Sequence, residues 1–382
     1  MKVVIAMDSF KGSADTQSIG AAVAAGVHQA DPNAQTQVYP IADGGEGTLA
    51  AMREFIGGTV KKVAIVDDFN QNRLAQYLLT DLAGQRLAII EAAQAVSLSF
   101  SDTKTAEERY QASSFGLGQL ILDALTSGAS QLIVTLGGSG TTDGGLGLLQ
   151  ALGATVYDDQ DNVIPHGVNP LINFAKFELN NARQLLAKVD LILAPDVSAP
   201  LSGKQGAALF FGAQKGLDPK QMKHLNQKLI LLGAQAQQDL NTDIANLPGA
   251  GAAGGLGFGL YLLGGRYEQN GFHTLADLAG ITAAVQGADL VITGEGRMDT
   301  QTSLGKVPQG MADIANHYHK PIIALVGQRA ADLGALGDQF AGVFAIQLAP
   351  GTLLAAMNKA NTLLGVQVLA REIVKFYQSI YK

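Results

Sequence analysis

The stretch TVKKVAIVDDFNQNRLAQYLLTDLAGQRLAIIEAA, residues 59–93, decides how the rest of the chain is read. It holds three β-rich apolar runs, 59–67, 73–81 and 85–93, separated only by turn-sized gaps such as DFNQN. Parallel neighbours need a crossover of roughly a dozen residues or more, and none fits, so the runs pair antiparallel as a meander. Elsewhere the rhythm differs. KVVIAM (2–7) leads through DSFKGS into the helical pattern DTQSIGAAVAAGVHQA, with Ser13 or Asp15 as its cap, and TQVYP leads through IADGGEGT into LAAMREFIG. SQLIVTL leads through GGSGTTDGG into LGLLQALG, and KVDLILA leads through PDVSAPLSG into a helix over KQGAALFFGAQKG. ADLVIT leads through GEGRMDTQTSLGK into PQGMADIANHYH; PIIALVG, GVFAIQL and an amphipathic helix over about 353–377 follow. Continuous Val/Ile/Leu runs indicate strands covered on both faces, and strand–helix alternation indicates a doubly wound α/β sheet. The meander therefore opens an insertion. Residues 1–58 plus 288–382 are expected to form one discontinuous flavodoxin-like (Rossmann-like) three-layer domain, and 59–287 a second, mixed-sheet α/β domain inserted into it.

Composition narrows the function classes. Of 382 residues 47% are hydrophobic and 15% charged, which suits a well-buried enzyme rather than a disordered chain. The formal charge of −7, with no run of Lys or Arg, gives no footprint for nucleic acid. The absence of cysteine excludes a thiolate nucleophile, Cys-ligated zinc and disulfides, and is compatible with a cytoplasmic location. Asp8 and Lys11 interrupt the apolar start before a signal-peptide core forms. The uncharged stretch 244–265 contains Pro248 and eight glycines, which read as backbone packed inside a protein rather than a membrane span.

Loops leaving the carboxyl ends of parallel strands gather ligands. The polar residues concentrate there: Asp8, Ser9 and Lys11; Asp43 and Glu46; Ser139, Thr141, Thr142 and Asp143; Asp196 and Ser198; Glu295, Arg297 and Asp299. Singly these are ordinary turn and cap residues, but five such loops along one edge point to a site. Most telling is VTLGGSGTTDGG (134–145). Glycines let backbone N–H groups approach an anion, and the start of the following helix adds partial positive charge, so phosphate is the expected occupant. Carboxylates at the same edge would repel phosphate unless a cation intervenes. Mg²⁺ answers that, taking one or two carboxylates together with phosphate oxygens and water. With Lys11, Lys215, Arg297 and Lys306, the set reads as phosphoryl transfer.

Other motifs fall away. Gly305-Lys306 fails as a Walker loop, because Thr300 stands where its first glycine belongs and Val307 follows. GAGAAG (249–254) matches a dinucleotide fingerprint but follows the polar TDIANLP, which leaves close backbone packing or a second anion loop. GGSGT has Thr141 where a nucleophile elbow needs glycine, and no histidine lies in the candidate loops. His317 and His319, two apart on a helix, face away from each other.

Taken together, DSFKG, ADGGEGT, GGSGTTDGG, DVSAPLSGKQGA, FGAQKG, LPGAGAAGGLG and ADLVITGEGRMDTQTSLGK resemble, in order and spacing, the motifs of the bacterial type I glycerate kinase family, across residues 1–327. The resemblance implies ATP-dependent, Mg²⁺-assisted phosphorylation of D-glycerate to 2- or 3-phosphoglycerate, feeding glycolysis from organic acid catabolism. It also implies a flavodoxin-like domain built from both chain ends with an α/β insertion, as the meander does. The chain departs from the usual motifs at Met7, where the family has proline; at Gly140 and Thr142, where it often reads GGSATNDGG; and at Ala199 and Ala213, where it commonly has asparagine and proline.

On this basis Asp196, Arg297 and Lys11 are the expected catalytic residues. Asp196 would accept the hydroxyl proton, or else cap a helix near Lys204; Arg297 would grip the glycerate carboxylate or a γ-phosphate. Gly137, Gly138, Ser139, Thr141, Thr142, Lys215, Gly294 and Lys306 would hold the nucleotide, Asp43, Glu46 and Asp143 the Mg²⁺, and Asp8, Ser9, Glu295 and Asp299 the substrate. A kinase for a related hydroxy acid and a two-domain solute-binding protein are the alternatives, and a homodimer is left open.

Overall fold

The computed structural model describes the chain apart from residues 41–47, 83, 102, 196, 268–270, 300–301, 303–306 and 381–382. Asp43, Glu46, Asp196 and Lys306 therefore lie outside the described residues. The strands are β1 (Lys2–Met7), β2 (Gln35–Pro40), β3 (Thr59–Val66), β4 (Asn72–Leu82), β5 (Gln85–Glu91), β6 (Gln131–Thr135), β7 (Thr155–Tyr157), β8 (Lys176–Glu178), β9 (Asp190–Ala194), β10 (Arg266–Tyr267), β11 (Leu290–Met298), β12 (Ile322–Arg329) and β13 (Gly342–Ala345). Two compact units result: Met1–Asp43 with Phe272–Lys382, and Gly44–Gly271.

The first unit is a five-stranded sheet in the order β13-β12-β11-β1-β2, parallel throughout. Read from β2, that is the 2-1-3-4-5 order of flavodoxin-like sheets. Val3 to Met7 are all buried, because helices cover both faces. Val3, Ile5 and Met7 share a core with Ile19 and Val23 of the helix Thr16–Ala30 and Val366 and Val374 of the helix Lys359–Ile380. The helix Val307–His317 packs on β1, β11 and β12. Asp15 is the cap of Thr16–Ala30, accepting from Ser18 N at 2.8 Å. The single helix expected over 353–377 is broken into Leu353–Ala356 and Lys359–Ile380, because Asn358 Oδ1 restarts it by accepting from Ala360 N at 3.0 Å.

The second unit has a six-stranded sheet ordered β10-β9-β6-β5-β4-β3. The meander forms as read: β3–β4 and β4–β5 are antiparallel, while β5–β6, β6–β9 and β9–β10 are parallel. Asp67 Oδ1 builds the first turn by accepting from Phe69 N at 3.0 Å and Gln71 N at 2.9 Å. The helix Thr48–Ile56 packs on β4 and β5, and Leu49 N donates to Glu91 Oε1 at 2.7 Å, which places it with the insertion. Phe272 covers Gly310 of the first unit. The units thus divide at 43/44 and 271/272, whereas the meander alone puts the boundaries at 58/59 and 287/288. Two local expectations are corrected. Residues 204–212 make successive turns and only Ala213–Lys215 closes a 3₁₀ turn, so no helix exists near Lys204 for Asp196 to cap. The loops expected along one edge are divided between two sheets, those after β1 and β11 in one and that after β6 in the other.

Among the described residues no helix is long and apolar enough to cross a membrane. The glycine-rich stretch 244–265 contains only a 3₁₀ turn, Ala252–Gly254, and the seven-residue helix Leu256–Leu262.

Candidate active site

In the first unit a cavity of about 290 Å³ opens at the carboxyl ends of β1, β11 and β12, lined in part by Asp8, Ser9, Lys11, Glu295 and Arg297. Asp8 N donates to Gly294 O at 2.9 Å, extending the β1–β11 ladder by one residue and seating the acid at the strand end. The chain then folds back on itself, with Ser13 N and Ala14 N donating to Phe10 O at 2.8 and 3.1 Å. Ser9 N donates to Asp8 Oδ1 at 2.6 Å. Glu295 is buried and accepts from Thr302 Oγ1 at 2.6 Å; Thr302 N in turn donates to Asp299 O at 3.0 Å. Arg297 is 70% exposed, and its Nε lies 3.1 Å from Asp299 Oδ2. Two sheltered carboxylates and two cations, Lys11 and Arg297, thus line one cavity, an arrangement suited to a small anion and a metal-bound phosphate. Gly294 also lets β11 and β12 approach: a Cβ there would lie 1.9 Å from Leu325 O. Gln328 and Gln347 also line the cavity and were not anticipated, although each follows an apolar strand run just as Asp8 does. Thr302, which ties Glu295 to Asp299, carries no pattern that marks it in advance.

In the second unit the loop after β6 is more deeply packed than its composition suggests. Ser139, Thr141, Thr142 and Asp143 are all buried. Gly140 N donates to Val96 O at 2.7 Å and Leu98 N to Gly138 O at 2.8 Å, stitching the loop to 96–98. Lys215, itself buried, donates to Thr141 O at 2.6 Å and Ser139 Oγ at 3.3 Å. A small cavity of about 80 Å³ is lined by Gly138, Ser139 and Lys215 among others, but not by Thr141 or Thr142, whose buried hydroxyls have no hydrogen-bond partner among the described residues.

Asp143 shows where an anion does sit. Its carboxylate accepts from Ser114 N and Ser114 Oγ, both at 2.7 Å, from Gly145 N at 3.0 Å and from Gly147 N at 3.2 Å. Gly145 and Gly147 open the helix Leu146–Ala151, so the acceptor at that helix start is the protein's own carboxyl. Burial pushes the Asp143 carboxyl upward and the bonds from Ser114, Gly145 and Gly147 oppose it. Both oxygens are engaged by Ser114 and by the helix start, which gives Asp143 a role in organising the loop. The GAGAAG stretch resolves as close backbone packing. A Cβ at Gly254 would lie 1.9 Å from Thr141 O, and Gly144 N donates to Gly254 O at 3.1 Å. Glu91, buried at the end of β5, is a further carboxylate whose place at the end of RLAIIE could have marked it.

Among the described residues there is no cluster of three or more His, Asp and Glu able to hold a metal.

Known proteins share this sequence and fold. The glycerate kinase family model matches residues 3–378. A glycerate kinase of Halalkalibacterium halodurans is 35% identical over 342 residues, covering 90% of this chain and 87% of its own. A glycerate 2-kinase of Escherichia coli is 35% identical over 363 residues, covering 94% of each. The crystal structure of a Salmonella typhimurium LT2 protein assigned as glycerate kinase 2 superposes with a TM-score of 0.82 at 36% identity, covering 99% of this chain and 98% of that one. The chain belongs to the glycerate kinase family.

Proposed function

We propose that this chain transfers the γ-phosphate of ATP to a hydroxyl of D-glycerate, with Mg²⁺. The observation that carries the reading is the first unit's cavity, where Asp8 and Glu295 meet Lys11 and Arg297 at strand ends in a chain of this family. Glycerate brings one carboxylate and two hydroxyls. Arg297 suits the carboxylate, because a planar guanidinium can donate two parallel hydrogen bonds to it once it exchanges Asp299 for substrate. Lys11 supplies a second, point-like charge for a phosphate oxygen. Asp196 remains the proposed acceptor of the hydroxyl proton, and Asp43, Glu46 and Lys306 the proposed metal and phosphate contacts; all four stand outside the described residues. Asp8, just past β1, and Glu295, on the neighbouring β11, fit Mg²⁺ by donor chemistry as hard carboxylate oxygens, and the ion when bound would neutralise charge on the transferring phosphoryl group. Ser139 and Lys215 are the proposed contacts to nucleotide phosphate in the second unit.

The test is ADP release by the purified chain with glycerate, lactate, tartronate and sugar acids, with and without EDTA. Glycerate should give the highest kcat/KM, and chelation should abolish turnover. An absence of glycerate-dependent ADP release sinks the reading, and preference for another hydroxy acid makes the chain a kinase for that acid. Because the Escherichia coli relative is a glycerate 2-kinase, phosphorus NMR of the product should show the 2-phosphate ester.

A further inference from the structure

Asp68, in the turn between β3 and β4, has no part in the reading above. It is 1% exposed, and among the described residues neither of its carboxylate oxygens has a hydrogen-bond partner. An ionised carboxylate so placed is strongly disfavoured, and the neutral acid is the form that burial selects. Desolvation first, and the neighbouring Asp67 second, push its pKa up to about 8. Two cations in its neighbourhood, Arg73 and Lys104, oppose that rise without reversing it, and each also has another contact. The Arg73 guanidinium stacks 3.6 Å from the centre of the Phe100 ring, and Lys104 Nζ lies 4.9 Å from the Phe69 ring and 3.3 Å from Glu108 Oε1. Gly140, against which the carboxyl lies, and Ser97 and Leu98 beside that glycine bring no titratable side chain.

Where the carboxyl sits is the informative part. A Cβ at Gly140 would lie 2.9 Å from Asp68 Oδ2 and 3.2 Å from Ser97 O, so the acid fills space that a side chain at 140 would have to share with it. Gly140 is also the hinge point of the loop's anchoring. It donates to Val96 O, and its neighbours Ser139 and Thr141 both accept from the Lys215 ammonium. Whatever displaces Gly140 displaces the seat of Lys215.

We propose that Asp68 is a positioning residue for the glycine loop: its protonated carboxyl fills the gap at Gly140 and keeps Ser139 and Thr141 in place around Lys215, and its ionisation draws the carboxyl towards water and loosens the loop. The consequence for catalysis rests on the reading that Ser139 and Lys215 serve the nucleotide phosphates; the structural claim does not.

Amide hydrogen exchange on the full chain tests it, read at Gly140 and Leu98, whose N–H groups donate to Val96 O and Gly138 O, between about pH 6.5 and about pH 9.5 after correction for intrinsic exchange. Protection at both amides should fall roughly tenfold as Asp68 loses its proton, and stay within about twofold in Asp68→Asn, which keeps the shape without the charge. Protection that is independent of pH in the wild type, or that falls equally in Asp68→Asn, overturns the proposal. A second pair keeps the question open to refutation should Asp68→Asn fail to fold. Gly140→Ala should lose protection at Leu98, and adding Asp68→Gly should restore it; a double variant no better protected than the single one overturns the proposal. The KM for MgATP, followed over the same range, separates the two readings. If it rises with the loss of protection, the phosphate assignment stands with the positioning role. If protection falls while KM holds, the positioning role stands and the phosphate assignment falls.

Discussion

Asp143 and Arg297 carry opposite physical burdens although both are charged residues in polar loops. Asp143 is wholly buried and satisfies the N–H groups of Ser114, Gly145 and Gly147. Asp143→Ala leaves those donors unpaired in the interior, so it should cost about 3–5 kcal/mol in urea unfolding. The Mg²⁺ dependence of any remaining activity should be unchanged; a shifted Mg²⁺ requirement at normal stability would return Asp143 to the metal. Arg297 is mostly exposed, and among the described residues it pairs with Asp299. Arg297→Ala should therefore leave stability within about 0.5 kcal/mol while lowering kcat/KM for glycerate about 100-fold or more. Full activity in that variant removes Arg297 from the reaction. Both residues are visible in the sequence as candidates. Which of them is buried is not, because burial of the Asp143 loop comes from chain 29 residues earlier, at Ser114, and more than a hundred residues later, at Gly254.

At the level of elements, glycine spacing is legible and its purpose is not. GAGAAG has the periodicity of a dinucleotide loop, yet Gly254 is glycine because Thr141 O lies where a side chain would begin and because its φ is +74°. Gly254→Ala should cost more than about 2 kcal/mol and lower activity in proportion to folded protein, checked by calorimetry and assay on the same samples. Lost nucleotide affinity with intact stability would favour the anion-loop alternative. Strands and the meander were readable because a run of β-branched residues between turns admits few conformations. The helix expected over KQGAALFFGAQKG was not formed. Gly203 sits at φ +90° and Gly206 N folds back to Gly203 O at 3.0 Å, so glycine turns override the apolar pattern.

For the whole chain, the first unit is closed by the two ends of the polypeptide. The helix Lys359–Ile380 packs on Thr16–Ala30, Lys359 Nζ lies 2.9 Å from Asp15 Oδ2, and Tyr377 OH donates to Asp289 O at 3.0 Å. Removing residues 359–382 strips cover from Ile19 and Val23, so the first unit should lose its cooperative unfolding transition in calorimetry, and glycerate-dependent turnover with it. A truncated chain with unchanged melting would show that the C-terminal helix is dispensable.

Patterns local in the chain were enough to name the α/β class, the antiparallel break and the family to which the motifs belong, and to narrow the first helix cap to Ser13 or Asp15, because periodicity, turn chemistry and motif order are properties of neighbouring residues. The surroundings of each polar group were decided only in three dimensions: that Asp143 serves a helix start, that Gly294 and Gly254 give way to backbone, and that Asp68 lies buried against Gly140 with no hydrogen-bond partner among the described residues. Desolvation depends on what distant segments lay over a side chain, and no stretch of sequence carries that information by itself.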